Sequence, residues 1–178
     1  MRKTQHDWLQ AGLRILATSG APGLTIDSLT SALGVTKGSF YHHFKGFGEY
    51  KTALLEFCTA TSTLELIEQT ERQTSAAAKM RFLLGLVLGG SPELEIALRA
   101  WAQQDAEARA VQTSIDAQRI AYVRSLCLDL ADTPERALLM AQMVYAILVG
   151  STQIQPHFDQ ETLRRLFEEF LRLYAINP

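Results

Sequence analysis

The sequence predicts an all-α protein, with an N-terminal three-helix head carrying a helix-turn-helix and a larger C-terminal helical bundle, about nine helices together. Three observations predict it. Apolar residues recur at spacings of three and four along the whole chain, without strand-like alternation of any length. Clusters of glycine, proline and capping residues cut that pattern into pieces of helical length. The stretch 25–45, TIDSLTSALGVTKGSFYHHFK, sets two short helices around a tight turn.

The first helix is expected over 5–18, with Leu9, Leu13, Leu16 and Ala17 as its apolar stripe and Trp8 and Ile15 beside it. Ser19-Gly20-Ala21-Pro22-Gly23 ends it. Thr25 then caps a helix whose apolar positions are Ile26, Leu29, Ala32 and Leu33, and Gly34 supplies the permissive backbone that closes it. Thr36 is placed to cap the next helix, in which Phe40 and Phe44 face inward. Ser39, Tyr41, His42, His43 and Lys45 fall on its other faces, the layout of an exposed recognition helix.

Gly46-Phe47-Gly48 reads as a break before a long helix over 49–69 carrying Leu54, Leu55, Cys58 and Leu66. A fifth helix over 75–88 presents Met80, Leu83, Leu84 and Val87 and stops at Gly89-Gly90. Ser91-Pro92-Glu93 and Thr133-Pro134-Glu135 are matching start signals: a hydroxyl cap, proline at the first helical position and an acid in the first turn. They open a sixth helix to 103 and an eighth to 153, with a seventh over 107–130 between them. Pro156 and Asp159 mark the last break, before a ninth helix to 174.

The 178 residues are 47% apolar and 20% charged, enough for a real core and ordinary for a soluble globular protein. The net charge of -2 is unlike that of a bulk nucleic-acid binder. Its distribution is uneven: five Lys or Arg against three acids over 1–50, and twelve against sixteen over the rest. The longest run without Asp, Glu, Lys or Arg, 137–158, holds too many polar residues for a bilayer span, and polar residues follow Met1-Arg2-Lys3 where a secretory leader would be apolar. A cytoplasmic protein without membrane association is expected. Cys58 and Cys127 are expected as reduced, buried thiols.

The last two helices, about 134–153 and 159–174, carry more apolar surface than one monomer core uses, and a two-fold helix-pair interface between two copies is its natural sink. No nucleophile elbow, phosphate loop or zinc-binding HExxH occurs, so catalysis is not expected. Neighbouring His42 and His43 point about 100° apart on a helix and cannot chelate one ion, so neither metal nor cofactor is expected.

About the first 55 residues resemble the tetracycline-repressor-like (TetR) family of bacterial regulators. The resemblance rests on the first helix, Gly20 ahead of Leu24-Thr25-Ile26, Ala32-Leu33-Gly34-Val35, Gly38-Ser39 and the run Phe40-Tyr41-His42-His43-Phe44-Lys45. Gly46-Phe47-Gly48 departs from it, since the family more often has a polar, charged turn there. The resemblance implies a head over 1–48, a ligand-binding and dimerisation domain over 49–178, and a homodimer that binds double-stranded operator DNA as a repressor and leaves it when a small molecule binds. In that setting Lys37, Gly38, Ser39 and His42 lie nearest the base edges, with Thr25, Thr36, Tyr41, His43 and Lys45 better placed for phosphates. Met80, Trp101, Tyr122 and Tyr145 are the candidate ligand-cavity residues. The rival reading is a helical module that works through a protein partner or binds nucleic acid without specificity, with no small-molecule inducer.

Overall fold

The structure, a computed structural model, describes residues 3–174. The helices are α1 (Gln5–Ser19), α2 (Ile26–Leu33), α3 (Lys37–His43), α4 (Phe47–Thr59), α5 (Glu65–Glu71), α6 (Ala76–Gly89), α7 (Glu93–Ala102), α8 (Ala106–Leu128), α9 (Pro134–Gln153) and α10 (Gln160–Leu173). A 3-10 turn, Ala21–Gly23, follows α1, and a π-helical turn, Ala60–Leu64, joins α4 to α5 without a break. Taking α4 to α5 as one rod gives nine helices and no strand among the described residues.

The chain forms two compact units. One holds residues up to Thr61 together with Ser91–Ser114, and the other holds Ser62–Gly90 and the chain from Ile115 onward. Both α8 and the α4–α5 rod therefore contribute to each unit.

Most start signals act as their chemistry requires. Thr25 and Ser28 form a reciprocal capping box on α2, Thr133 accepts from the Arg136 amide at 3.2 Å, and Asp159 accepts from the Thr162 amide at 2.7 Å. Each such cap stabilises its helix by about 1 kcal/mol. Thr4 and Asp7 form a capping box on α1 as well. Ser91 differs from its expected role: its hydroxyl bonds the Glu93 carboxylate and α7 begins after Pro92, so Ser91 is not the cap. Thr36 occupies the N-cap position of α3 but makes no side-chain capping bond.

The first unit is organised on aromatic rings. Trp8, Phe40, Phe44 and Tyr50 are buried, with Trp8 edge-on to Phe40 at 5.5 Å and Phe44 edge-on to Tyr50 at 5.1 Å. Such pairs add about 1 kcal/mol each beyond burial. The expected stripe on α1 is out of phase: Trp8, Ala11, Gly12 and Leu16 are buried, whereas Leu9 and Leu13 are only half-buried. The cause is Tyr50, whose hydroxyl donates to the Trp8 carbonyl at 3.0 Å. A Cβ at Gly12 would stand 1.9 Å from that hydroxyl oxygen, so a bare glycine lets α4 approach α1. Burial also pushes the Tyr50 phenol well above its usual range, so it stays a neutral donor.

The Gly46-Phe47-Gly48 break is shorter than expected. Gly46 is an extended N-cap and the helix starts at Phe47, whose ring lies 5.9 Å from that of Tyr50. Packing of Phe47 on that ring draws the helix start two residues earlier than 49.

The second unit has an aliphatic core. Met80 and Leu84 of α6, Val123, Leu126 and Cys127 of α8, Met140 and Val144 of α9, and Phe167 and Phe170 of α10 pack together. Cys127 lies here and Cys58 in the other unit; both are free and buried, and burial pushes their thiols up to about 11 and about 12. Among the described residues no helix is long and apolar enough to cross a membrane.

Candidate nucleic-acid interface

Helix α3 is held from behind and open in front. Phe40 and Phe44 anchor it to the aromatic core, and the αL backbone of Gly34 (φ 65°, ψ 39°) turns the chain from α2 into it. The Gly34 amide reaches back to the Ser31 carbonyl at 3.2 Å and the Val35 amide to Thr30 at 3.0 Å, closing the turn. At the far end, the Glu49 carboxylate accepts from the Lys45 amide at 2.7 Å, and Gln5 of α1 donates to the His43 carbonyl at 3.3 Å. Both ends of α3 are thus positioned by neighbouring helices.

The nine predicted contact residues lie in α3, at the N-caps of α2 and α3, and just after α3. Thr25, Thr36, Lys37, Gly38, Tyr41, His42 and Lys45 are exposed, and Ser39 and His43 are half-buried. Tyr41 is 56% exposed despite its aromatic ring, which touches the edge of Phe40 at 5.5 Å. A tyrosine kept out of a core already built of four aromatics is available for an external partner. Gly38 is open as well: an added Cβ would meet nothing closer than the Thr36 hydroxyl at 3.7 Å. Nothing within the protein requires glycine there.

Lys37 carries a feature that sequence reasoning missed. Its ammonium pairs with Asp27 on α2 at 2.5 Å, and that hydrogen bond raises the lysine above its ordinary range. Both side chains are well exposed, at 60% and 74%, so water screens the pair and a phosphate or base edge can displace it. The i to i+10 separation across a turn gives no periodic signal by which the pair could have been found.

The candidate ligand residues are divided between the two compact units. Trp101 lies on α7 in the first unit, whereas Met80, Tyr122 and Tyr145 lie in the second. Met80 is a fully buried core residue. Tyr122 packs against that core and donates to Glu71 at 2.7 Å, while Tyr145 donates to Asp116 at 2.6 Å. An open groove of about 540 Å³ in the second unit is lined by Gln73, Ala78, Arg81, Phe82, Gly85 and Leu86, and none of the four candidates lines it.

The family model described as bacterial regulatory proteins, tetR family, matches residues 9–56, from α1 into α4. The head of the chain matches the tetR family. It is a DNA-binding helix-turn-helix, and the protein acts in transcription regulation. Solved structures share the fold over nearly the whole chain. A TetR-family transcriptional regulator from Streptomyces coelicolor superposes with a TM-score of 0.78 at 17% identity, covering 96% of this chain and 93% of its own. NemR from E. coli, in its reduced form, gives 0.72 at 22% identity, covering 97% and 95%. A protein from Saccharomonospora viridis described as a transcriptional regulator, in complex with choline, gives 0.72 at 12% identity, covering 94% and 95%. No curated protein matches the chain.

Proposed function

We propose that this tetR-family protein is a homodimeric, cytoplasmic repressor that reads its operator with α3 and leaves it when a small molecule binds the C-terminal domain. The observation that carries the operator-reading part is the division of α3 into a buried anchor, Phe40 and Phe44, and an exposed polar face. In this reading residues 1–48 are the DNA-binding domain and 49–178 bind ligand and dimerise. Lys37, Gly38, Ser39 and His42 meet base edges, and Thr25, Thr36, Tyr41, His43 and Lys45 meet phosphates. The unused hydroxyl at the Thr36 N-cap and the open space over Gly38 support those roles.

Dimerisation through α9 and α10 is supported by apolar side chains left on their surfaces: Leu139 is 58% exposed, Met143 44% and Leu173 59%. With so few basic contacts per head, two heads on one DNA are needed for useful affinity. Ligand release rests on the family and on the choline complex of the Saccharomonospora viridis protein. A ligand can weaken DNA binding only by favouring a conformation with the wrong half-site spacing.

The test is a gel shift with DNA flanking the protein's own gene, competed with unrelated DNA. The expected result is a shifted band that flanking DNA competes far better than unrelated DNA does. Equal competition by both overturns the sequence-specific reading.

A further inference from the structure

The long rod from α4 to α5 changes winding in its middle. Ala60–Leu64 is π-helical, with regular α-helix on both sides, and the chain passes from the first compact unit to the second inside this turn. The local sequence, Thr59-Ala60-Thr61-Ser62-Thr63, holds four hydroxyl residues in five. Three are β-branched threonines, which gain less than other residues from staying α-helical. The Thr61 hydroxyl bonds the Phe57 carbonyl at 2.9 Å and the Thr59 hydroxyl bonds Leu55 at 3.3 Å, the back-bonding pattern that bends helices.

One side chain from another helix grips this turn. Arg119 of α8 donates from Nε to the Thr63 hydroxyl at 3.0 Å, and from Nη2 to the Ser62 carbonyl at 3.0 Å and the Ser62 hydroxyl at 3.3 Å. Thr63 is only 2% exposed, so this contact lies inside the second unit. A planar guanidinium fixes two neighbouring positions at once, which a point charge cannot do. It satisfies a main-chain carbonyl and a side-chain oxygen in the one part of the rod where the regular ladder is interrupted.

We propose that the π turn is a conformational joint in the α4–α5 rod and that Arg119 is the latch that holds its winding. With the latch closed the turn keeps one register. With it open, the threonine-rich segment exchanges between windings and α4 is no longer fixed in phase to α5. A shift of α8 that withdraws Arg119 then reaches the helix whose Tyr50 and Phe47 support the recognition head. That last step rests on the proposed ligand-released function; the latch itself does not.

Amide hydrogen exchange on the full-length protein, without DNA or ligand, separates the two. Arg119→Met is expected to speed exchange in peptides over 57–70 by about tenfold, leaving peptides over α2–α3 and α9–α10 unchanged. Thr63→Val, which keeps shape and loses one acceptor, is expected to give a smaller acceleration in the same peptides. Unchanged protection over 57–70, or an equal loss everywhere, overturns the latch. Operator affinity of Arg119→Met is the second readout. A several-fold change with the head still protected supports transmission through the joint, and an unchanged affinity overturns that part alone.

Discussion

Helices α3 and α9 are each left with a surface that the rest of the chain does not cover, and the two surfaces are opposite in kind. On α3 the exposed side chains are Lys37, Tyr41 and His42, with Ser39 and His43 half-buried beside them. On α9 they are Leu138, Leu139 and Met143, at 36%, 58% and 44% exposure. A polar face costs nothing in water and gains only against a partner rich in hydrogen-bonding groups and negative charge. An apolar face is unfavourable in water and gains against another apolar face, for which a second copy of the same helix is the simplest supply. Under the proposed function, the kind of surface left over separates the helix that meets DNA from the helix that meets a second copy.

The largest expected effect breaks the α9 side. Leu139→Glu with Met143→Glu should give a folded monomer by sedimentation and lower operator affinity on the order of 100-fold, because paired binding is lost. Next is the support beneath α3. Gly12→Ala forces a methyl group into the Tyr50 hydroxyl and should cost about 2 kcal/mol in chemical denaturation. Operator binding would fall only in step with the unfolded fraction. Gly38→Ala sharpens the contrast: thermal stability should hold or rise by up to about 1 kcal/mol, while operator affinity falls by about tenfold, near 1.4 kcal/mol. Loss of both together would place Gly38 in the fold and not in the interface.

The smallest effect concerns the first unit's half-buried ion cluster. Lys51 pairs with Asp105 at 2.7 Å and Glu107 at 3.0 Å, and Thr52 donates to Glu107 at 2.6 Å. The hydrogen bond to Lys51 holds Asp105 below the ordinary carboxylate range, and hydrogen bonds from Thr52 and then Lys51 do the same for Glu107. Groups lowered in the folded state stabilise it above their unfolded values, and that contribution disappears as pH falls through the folded ones. Lys51→Met should therefore cost about 1 kcal/mol at neutral pH and progressively less under acid, read from denaturation midpoints across pH.

Much of this was legible from residues alone. The period of three and four marked the helices, and Thr25, Gly34, Thr133 and Asp159 act at helix ends as their local chemistry dictates. The buried and exposed faces of α3 followed from the spacing of Phe40 and Phe44. What stayed hidden depends on contacts between residues far apart in the chain. Gly12 looks like an ordinary helical glycine until Tyr50, 38 positions later, is seen to need its missing side chain. Nothing local marks Asp27 as the partner of Lys37, or Arg119 as the residue that grips the π turn. Trp101 and Tyr145 share an apolar helical setting in sequence, yet they belong to different compact units. The site for a ligand was the least legible, because aromatic residues that fill a core and those that line a cavity follow the same periodicity.

The central claim is that the exposed face of α3 reads sequence while its flanks hold phosphates. The most direct test is a binding profile over a library of operator variants for the wild type, Lys37→Ala and Tyr41→Ala, at one fixed salt concentration. Tyr41→Ala should lower affinity for every variant by a similar factor, and Lys37→Ala should change the preferred base at particular positions. A Lys37→Ala profile that is the wild-type profile uniformly scaled down would contradict the account.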